Sequence, residues 1–558
     1  MRACASVLDA VAMPRPAATL LALATLAQAV PASAAQVREP SLAQRYVRVT
    51  AATAAGDFAT AGTEMSALLQ REPANTNFAL HAYRQAITGG DQALAMRAAR
   101  ILDAQGQLPA DGPLLLLVGA VQARDWKAAR VAVDRLEQGK LFTFLSPILR
   151  AWIALGARDA DPFAALEPAR TAGLAMAYYP EQHLLLQLAT GHVAEAAAEI
   201  RAATQPGTRI RILGAGALAP KDRTAAMALL AGDEQPLVAA RRRIAAGERL
   251  PGVTTPADGI AELLDHVALD FNRQRLGPVA TVMARLASFV APNNAGAWIT
   301  VAQVLGVAKQ PDAALAALAH VPLSDPFSGV AQTLRVSLLI DKGDKPRALD
   351  EALASARRRD ASASDWARVG DVHFALDQPA EAATDYGKAI ALAENGPPGD
   401  AWLLWLQQGS ALELAGDWPR AKAALEKAYA LAPDQPVVLN HLGYSQIARR
   451  ENLPAAEALI VRASALRPDD PAITDSLGWS QFLLGKTAAA VPLLERASAG
   501  NPSEPTINEH LGDVYWTLGR RIDARYAWRA ALVTAEAKDK VRLDAKIEGG
   551  LTPETASP

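Results

Sequence analysis

Small residues recur in the C-terminal third of the chain at a nearly fixed spacing: Gly370, Gly409, Gly443, Gly478 and Gly512. Each is followed by an alanine (Ala382, Ala421, Ala456, Ala490, Ala524), a large residue (Tyr386, Leu425, Ile460, Leu494, Trp528) and a second alanine (Ala389, Ala428, Ala463, Ala497, Ala531). A turn signal separates the first two small positions: Asp377, Gly416, the Glu451–Asn452 region, Gly485 and Gly519. Pro433, Pro468 and Pro502 close three of the units. Each unit reads as two antiparallel helices. The small residues sit where the backbones cross, the turn residue takes a left-handed conformation, and proline stops the second helix. The large residue is expected to fill the groove between neighbouring pairs.

One such pair is too thin to bury its own apolar face, so neighbours must stack. The expected fold is all-α, an α-solenoid of stacked antiparallel helix pairs. Five units are read at 362–395, 400–434, 436–469, 471–504 and 505–537 within a well-formed array at 359–540. Fainter units fill the N-terminal half. "AATAAGDFATAGTEMSALLQREP" is a fair unit, and "ITGGDQALAMRAARIL", "VQARDWKAARVAVDRL" and "LATGHVAEAAAEIRAA" keep the turn and second helix. These give degenerate helical hairpins at 36–203 and again at 259–358. Glycine and proline in "TQPGTRIRILGAGALAP" and "ERLPGVTTPADG" suggest an irregular helical joint at 204–258, and residues 541–558 read as a disordered tail.

The 558 residues are 51% hydrophobic, more than one ordinary domain holds, which agrees with a repeat array. Lys+Arg number 56 against 58 Asp+Glu, so no basic field exists to draw nucleic acid or anionic lipid. The single cysteine, Cys4, allows neither a disulfide framework nor a cysteine metal site. A short positive end at Arg15, after a possible start at Met13, precedes an apolar run from Ala17 to Val30 and small residues at Ala32–Ala35. Residues 1–35 therefore read as an export signal cleaved near Ala34 or Ala35. The run is shorter than the roughly 20 residues that span a bilayer, and Cys4 precedes it where a lipid-attachment cysteine would follow. The expectation is a soluble periplasmic protein with no transmembrane segment in the mature chain.

Candidate chemistry is sparse. "GAGALA" at Gly214–Ala219 matches a dinucleotide fingerprint, but no strand–turn–helix surrounds it and it reads as a loop. Ser445 and Ser480 follow a glycine by two residues, but Ile447 and Phe482 stand where a nucleophile elbow needs a second glycine. The eight histidines lack ligand spacing. The arginine triplets at 241–243 and 357–359 read as solvated helix ends. No cofactor, metal or catalytic residue is assigned.

The exposed positions of each first helix would line a concave face: Asp371 and Phe374, Ser410 and Glu413, Asn440 and Tyr444, then Asp475, Trp479 and Phe482, and last Glu509, Asp513 and Trp516. Aromatic side chains mixed with carboxylates suit protein or peptide recognition. The competing reading is that Trp479 and Trp516 fill between-unit packing. A lysine-and-asparagine clamp for a terminal carboxylate is rejected, because only Asn440 is present.

The pattern resembles the tetratricopeptide repeat. It departs where His373 and Gln481 replace an aromatic, where a residue is inserted near Asn452, at "ENGPPGD", and at the last unit, which has no closing proline. The run "NHLGYSQIARRENLPAAEALIVRASALRPDDPAITDSLGWSQFLLGKTAAAVPLLERA", continued by "INEHLGDVYWTLGRRIDARYAWRAAL", resembles a bacterial family of envelope repeat proteins. Its members include an adaptor of a carboxyl-terminal processing protease that delivers peptidoglycan-hydrolase substrates. The resemblance implies a periplasmic, non-catalytic adaptor binding other proteins or peptides. Two alternatives stand beside it: an enzyme or enzyme subunit with a site at 204–258, and a structural part of a polysaccharide secretion system. The absence of a C-terminal strand series lowers the second.

Overall fold

The structure, a computed structural model, describes residues 39–359, 361–393 and 401–557. The export signal read at 1–35 and the whole "ENGPPGD" connection lie outside the described residues. Those residues form a tandem run of helices with no strand among them. They make an α-solenoid of stacked antiparallel pairs.

Pairing follows local chemistry. Gly56, Gly90 and Gly416 take φ of +75°, +87° and +80°, and the aspartate after each caps the second helix of its pair. The left-handed residue reverses the chain and the carboxylate accepts an otherwise unpaired N–H. Four turn positions read from the C-terminal array lie at positive φ, Asp377, Gly416, Gly485 and Gly519; in the third unit, read at the Glu451–Asn452 region, the residue in the same register is Arg450 at φ +58°, with Asn452 at φ +47° as well. First helices begin with proline at Pro436, Pro471 and Pro505, where no N–H is needed.

The five pairs of the array are Ala363–Ala375 with Pro379–Ala393, Ala401–Leu414 with Trp418–Leu431, Pro436–Ala448 with Leu453–Leu466, Pro471–Leu483 with Thr487–Gly500, and Pro505–Thr517 with Arg521–Thr534. A methyl on Gly370 would lie 2.7 Å from Tyr386, on Gly409 2.7 Å from Leu425, on Gly443 2.8 Å from Ile460, and on Gly478 2.8 Å from Leu494; on Gly512 it would strike Trp528. The large residue thus seats on the glycine of its own pair, rather than in the groove between pairs. All five of these large residues are buried. Apolar contacts here break into small clusters spanning one or two units, as expected when each unit meets only its neighbours.

The N-terminal half is built differently, around one continuous apolar cluster from Val49 to Val372. Helices Pro256–Arg273 and Gly277–Val290 pack across the first helices of the early hairpins, among them Thr76–Gly89, Gly112–Ala123 and Ser146–Ala157. Gln122 donates to the Phe289 carbonyl at 2.6 Å, and Tyr178 to Asp270 at 2.8 Å. Trp152 is buried against Gly259, which has no side chain to obstruct it, and its indole N–H reaches Gln182 at 2.8 Å. The chain therefore fills its own inner face in this half.

The 204–258 segment, read as an irregular helical joint, holds the short helices Thr208–Leu218, Arg223–Leu229 and Gln235–Ala245. Two expectations change. "GAGALA" is helix and not loop: Gly214 and Gly216 let Ile200 and the Pro251 carbonyl approach within 2.6 and 2.7 Å of where a methyl would sit. The tail read as disordered is instead helix Ala537–Gly549 followed by a turn packed through Ser557. Leu543 and Lys546 anchor it, both fully buried.

Gly478→Val is expected to lower stability by about 2–3 kcal/mol, because the added methyls meet Leu494. Gly485→Asn, at a left-handed turn with nothing within 4 Å, costs about 1 kcal/mol or less. Denaturant unfolding followed by circular dichroism compares the two.

Candidate protein-binding surface

The first helices of the array carry a periodic polar seam. Asp371 accepts from Tyr386 at 2.8 Å and from Gln407 of the next unit at 3.1 Å. Glu413 accepts from Ser445 at 2.8 Å and Arg449 at 2.6 Å, and meets His441 at 2.9 Å. Asn440 donates to Ser476 at 3.1 Å. Asp475 meets His510 at 3.0 Å. Glu509 takes both nitrogens of Arg542 at 2.9 Å and Lys546 at 2.6 Å. Asp513 accepts from Lys546 at 2.8 Å, from the Trp528 indole at 2.9 Å and from Ser557 at 2.8 Å. Each unit thus holds the next through a polar side chain one repeat away.

Burial matters to these groups. It raises the Asp371 carboxyl above its usual range against the lowering bond from Tyr386. It also pushes up Glu413, but the bonds from His441 and Ser445 outweigh it and the net direction is down. Tyr444 is pushed up to about 12 by burial, with Asp475 and Glu413 adding to the effect.

This geometry corrects the groove assignment. Asp475, Trp479, Glu509 and Asp513 are buried and face neighbouring units, not a ligand. Trp479 stacks on His510 with ring centres 4.0 Å apart and planes 8° from parallel, so the between-unit packing reading holds for it. Trp516 is half-buried: Arg521 lies 3.8 Å over its ring and Gly550 passes directly against it. Asp371, Asn440, Tyr444 and Phe482 are half-buried. Of the predicted residues only Phe374 is substantially open, at 40%. It stands with other exposed apolar side chains of the first helices: Leu403, Leu414, Val437 and Leu483.

Sequence reading missed Arg542 and Lys546, because it assigned most of their helix to a disordered tail. The signal was present. Lys546 falls one repeat length after Gly512, where a glycine would stand in a further unit. Among the described residues no helix packs on it as a second member of a pair, so a lysine can occupy the crossing position and neutralise two carboxylates.

Ser410, His441 and Glu413 gather as a possible proton relay. Both partners approach the same ring nitrogen, Nε2, at 3.5 and 2.9 Å. A serine–histidine–carboxylate relay needs the two ring nitrogens for separate bonds, so this arrangement is a packing bond. In the 204–258 segment Arg211, Arg223 and Arg241 donate to the Leu229, Ala245 and Leu230 carbonyls, and Arg209 joins Glu262 and Asn294. Arg241 thus caps the C-terminal end of helix Arg223–Leu229 and is not merely solvated. Among the described residues no cluster of histidine, cysteine and carboxylates could hold a metal ion. No helix there is long and apolar enough to cross a membrane.

No protein-family model and no curated protein matches the chain. Among solved structures it is similar to a thermophilic TPR protein of Thermus thermophilus, at 19% identity over 34% of this chain and 98% of that one, with a TM-score of 0.30. It is similar to the APC/C hetero-tetramer Cut9–Hcn1 at 15% identity over 90% and 88% of the two chains, TM-score 0.38. Yeast Tom70 gives 12% identity over 91% and 95%, TM-score 0.37. The helix-pair fold rests on the chain's own geometry.

Lys546→Met leaves Glu509 and Asp513 buried without their shared ammonium, and is expected to cost about 3–5 kcal/mol. The triple variant with Glu509→Gln and Asp513→Asn recovers most of that loss in the same unfolding assay. Acid should act on the same contact. Burial raises the Glu509 carboxyl, but bonds from Arg542 and Lys546 outweigh it and bring it from 4.5 to about 2. The folded value lies below the unfolded one, so this stabilisation is complete above 4.5 and disappears as pH falls from there through about 2. Amide hydrogen exchange should show Ala537–Gly549 losing protection across that window.

Proposed function

We propose that the protein is a non-catalytic scaffold, exported to the periplasm, that holds other proteins or peptides along the first helices of its C-terminal array. The finer reading is an adaptor for a carboxyl-terminal processing protease in cell-envelope maintenance. The observation that carries the scaffold is the division of labour on those helices. Their carboxylates are consumed in bonds between units, while Phe374, Leu403, Leu414, Val437 and Leu483 stay exposed. A preformed apolar surface limits the ordering cost of binding, and the neutralised seam favours an apolar partner segment over a charged one. In the N-terminal half the corresponding face is filled by Pro256–Arg273 and Gly277–Val290, which directs partners to the C-terminal array. Location and protease partnership rest on the N-terminal signal and the envelope-family resemblance.

The test joins location to binding. Osmotic-shock fractionation should release the protein with periplasmic markers. The purified chain should then bind a purified carboxyl-terminal processing protease of its host in a pull-down. Phe374→Asp with Leu414→Asp should lower capture about tenfold or more, while stability, for exposed positions, changes by about 0.5 kcal/mol or less each. Undiminished capture by the double variant would sink the surface assignment. A chain retained in the cytoplasm would sink the adaptor reading.

A further inference from the structure

The joint between the first hairpins and the helices that close the N-terminal half contains a buried cation without a carboxylate. Arg285, on helix Gly277–Val290, is 4% exposed. Its Nε and Nη2 both donate to the Thr88 carbonyl, at 3.1 and 2.9 Å. No carboxylate pairs with it among the described residues, and burial lowers its pKa to about 10 with no acidic neighbour opposing the change. A buried charge left unpaired is costly. The fold nevertheless makes room for it: Gly90 has φ +87°, and a methyl there would lie 2.8 Å from Nη1.

Arg285 opens on a cleft of about 490 Å³, whose walls include the Trp298–His320 pair and whose floor is Ala313, Ala316 and Ala317. The two rings stack 3.9 Å apart at 11°. An adjoining cleft shares Phe58, Ala59, Gly89 and Gly90 with it and is lined by Gln85. Gln85 is 8% exposed and neither atom of its carboxamide has a partner. Gln85 thus stands unpaired in the core next to the residues that the two clefts share, while Arg285, which has no acidic partner among the described residues, lines the first cleft directly. Asp57 and Asp312 also line the cleft. Asp57 accepts from the Thr60 N–H, and Asp312 is paired with Lys342. Their presence disfavours a multiply charged anion.

We propose that this cleft binds a small organic monocarboxylate with a flat apolar body, its carboxylate on Arg285 and its ring against Trp298 and His320. Such a site is independent of partner docking on the C-terminal array.

Isothermal titration of the full chain with benzoate tests the proposal, with benzamide and inorganic phosphate as comparisons. Benzoate should bind with one-to-one stoichiometry, and benzamide and phosphate at least about tenfold more weakly. Arg285→Gln should weaken benzoate by about tenfold or more. Because that variant also removes a bond to the end of helix Thr76–Gly89, Ala316→Leu provides a second route: it fills the floor, leaves the guanidinium in place, and should abolish binding. Absence of saturable benzoate heat up to about 10 mM would overturn the proposal and leave Arg285 as a helix cap only. Benzoate binding retained in both variants, or phosphate binding as tightly as benzoate, would overturn it equally.

Discussion

Everything in the C-terminal array depends on two helix backbones coming close enough for a large side chain to sit on a bare α-carbon. Tyr386, Leu425, Ile460, Leu494 and Trp528 do this on Gly370, Gly409, Gly443, Gly478 and Gly512. Close approach makes each pair a thin, stiff plate, and a thin plate has two apolar faces to cover. Stacking, and with it the seam of bonds between first helices, follows from that one contact. A bulkier crossing residue would splay the pair and misplace the side chains that reach the next unit.

The two halves solve the problem of an inner face in different ways. The early hairpins are covered by Pro256–Arg273 and Gly277–Val290, which give that half a single core. The later hairpins keep their first helices open and satisfy their polar groups through neighbours. After the fifth pair, helix Ala537–Gly549 takes the place of a following first helix. Arg542 and Lys546 provide there what Gln407, Ser445, Ser476 and His510 provide within the array. The same cap explains why Trp516, at the register of the exposed Phe374, is half covered.

The proposed binding surface is apolar because its acids are already spoken for. Glu413 holds His441, Ser445 and Arg449, while Leu414 beside it in sequence, and Phe374 one unit earlier, stay exposed. The cleft at Arg285 inverts this arrangement: there a charge is buried among mostly apolar neighbours, with no carboxylate paired to it among the described residues. Both surfaces arise where helix pairs meet without fully interlocking.

By itself the sequence determined the elements. Fixed offsets of glycine, alanine and proline specify pair geometry locally, so the turns at Asp377, Gly416, Gly485 and Gly519 were legible residue by residue, and the one at Arg450, which no glycine marks, only to within a residue or two. Which polar side chains would face a groove was not legible, because that depends on what lies one repeat away in space. Asp475 and Glu509 look like ligand-binding acids until His510, Arg542 and Lys546 are brought against them. The filling of the N-terminal face was equally hidden, since Arg285 and Thr88 are far apart along the chain. Helix formation is a short-range property of the backbone, whereas burial and charge pairing are settled only when distant segments compete for the same space.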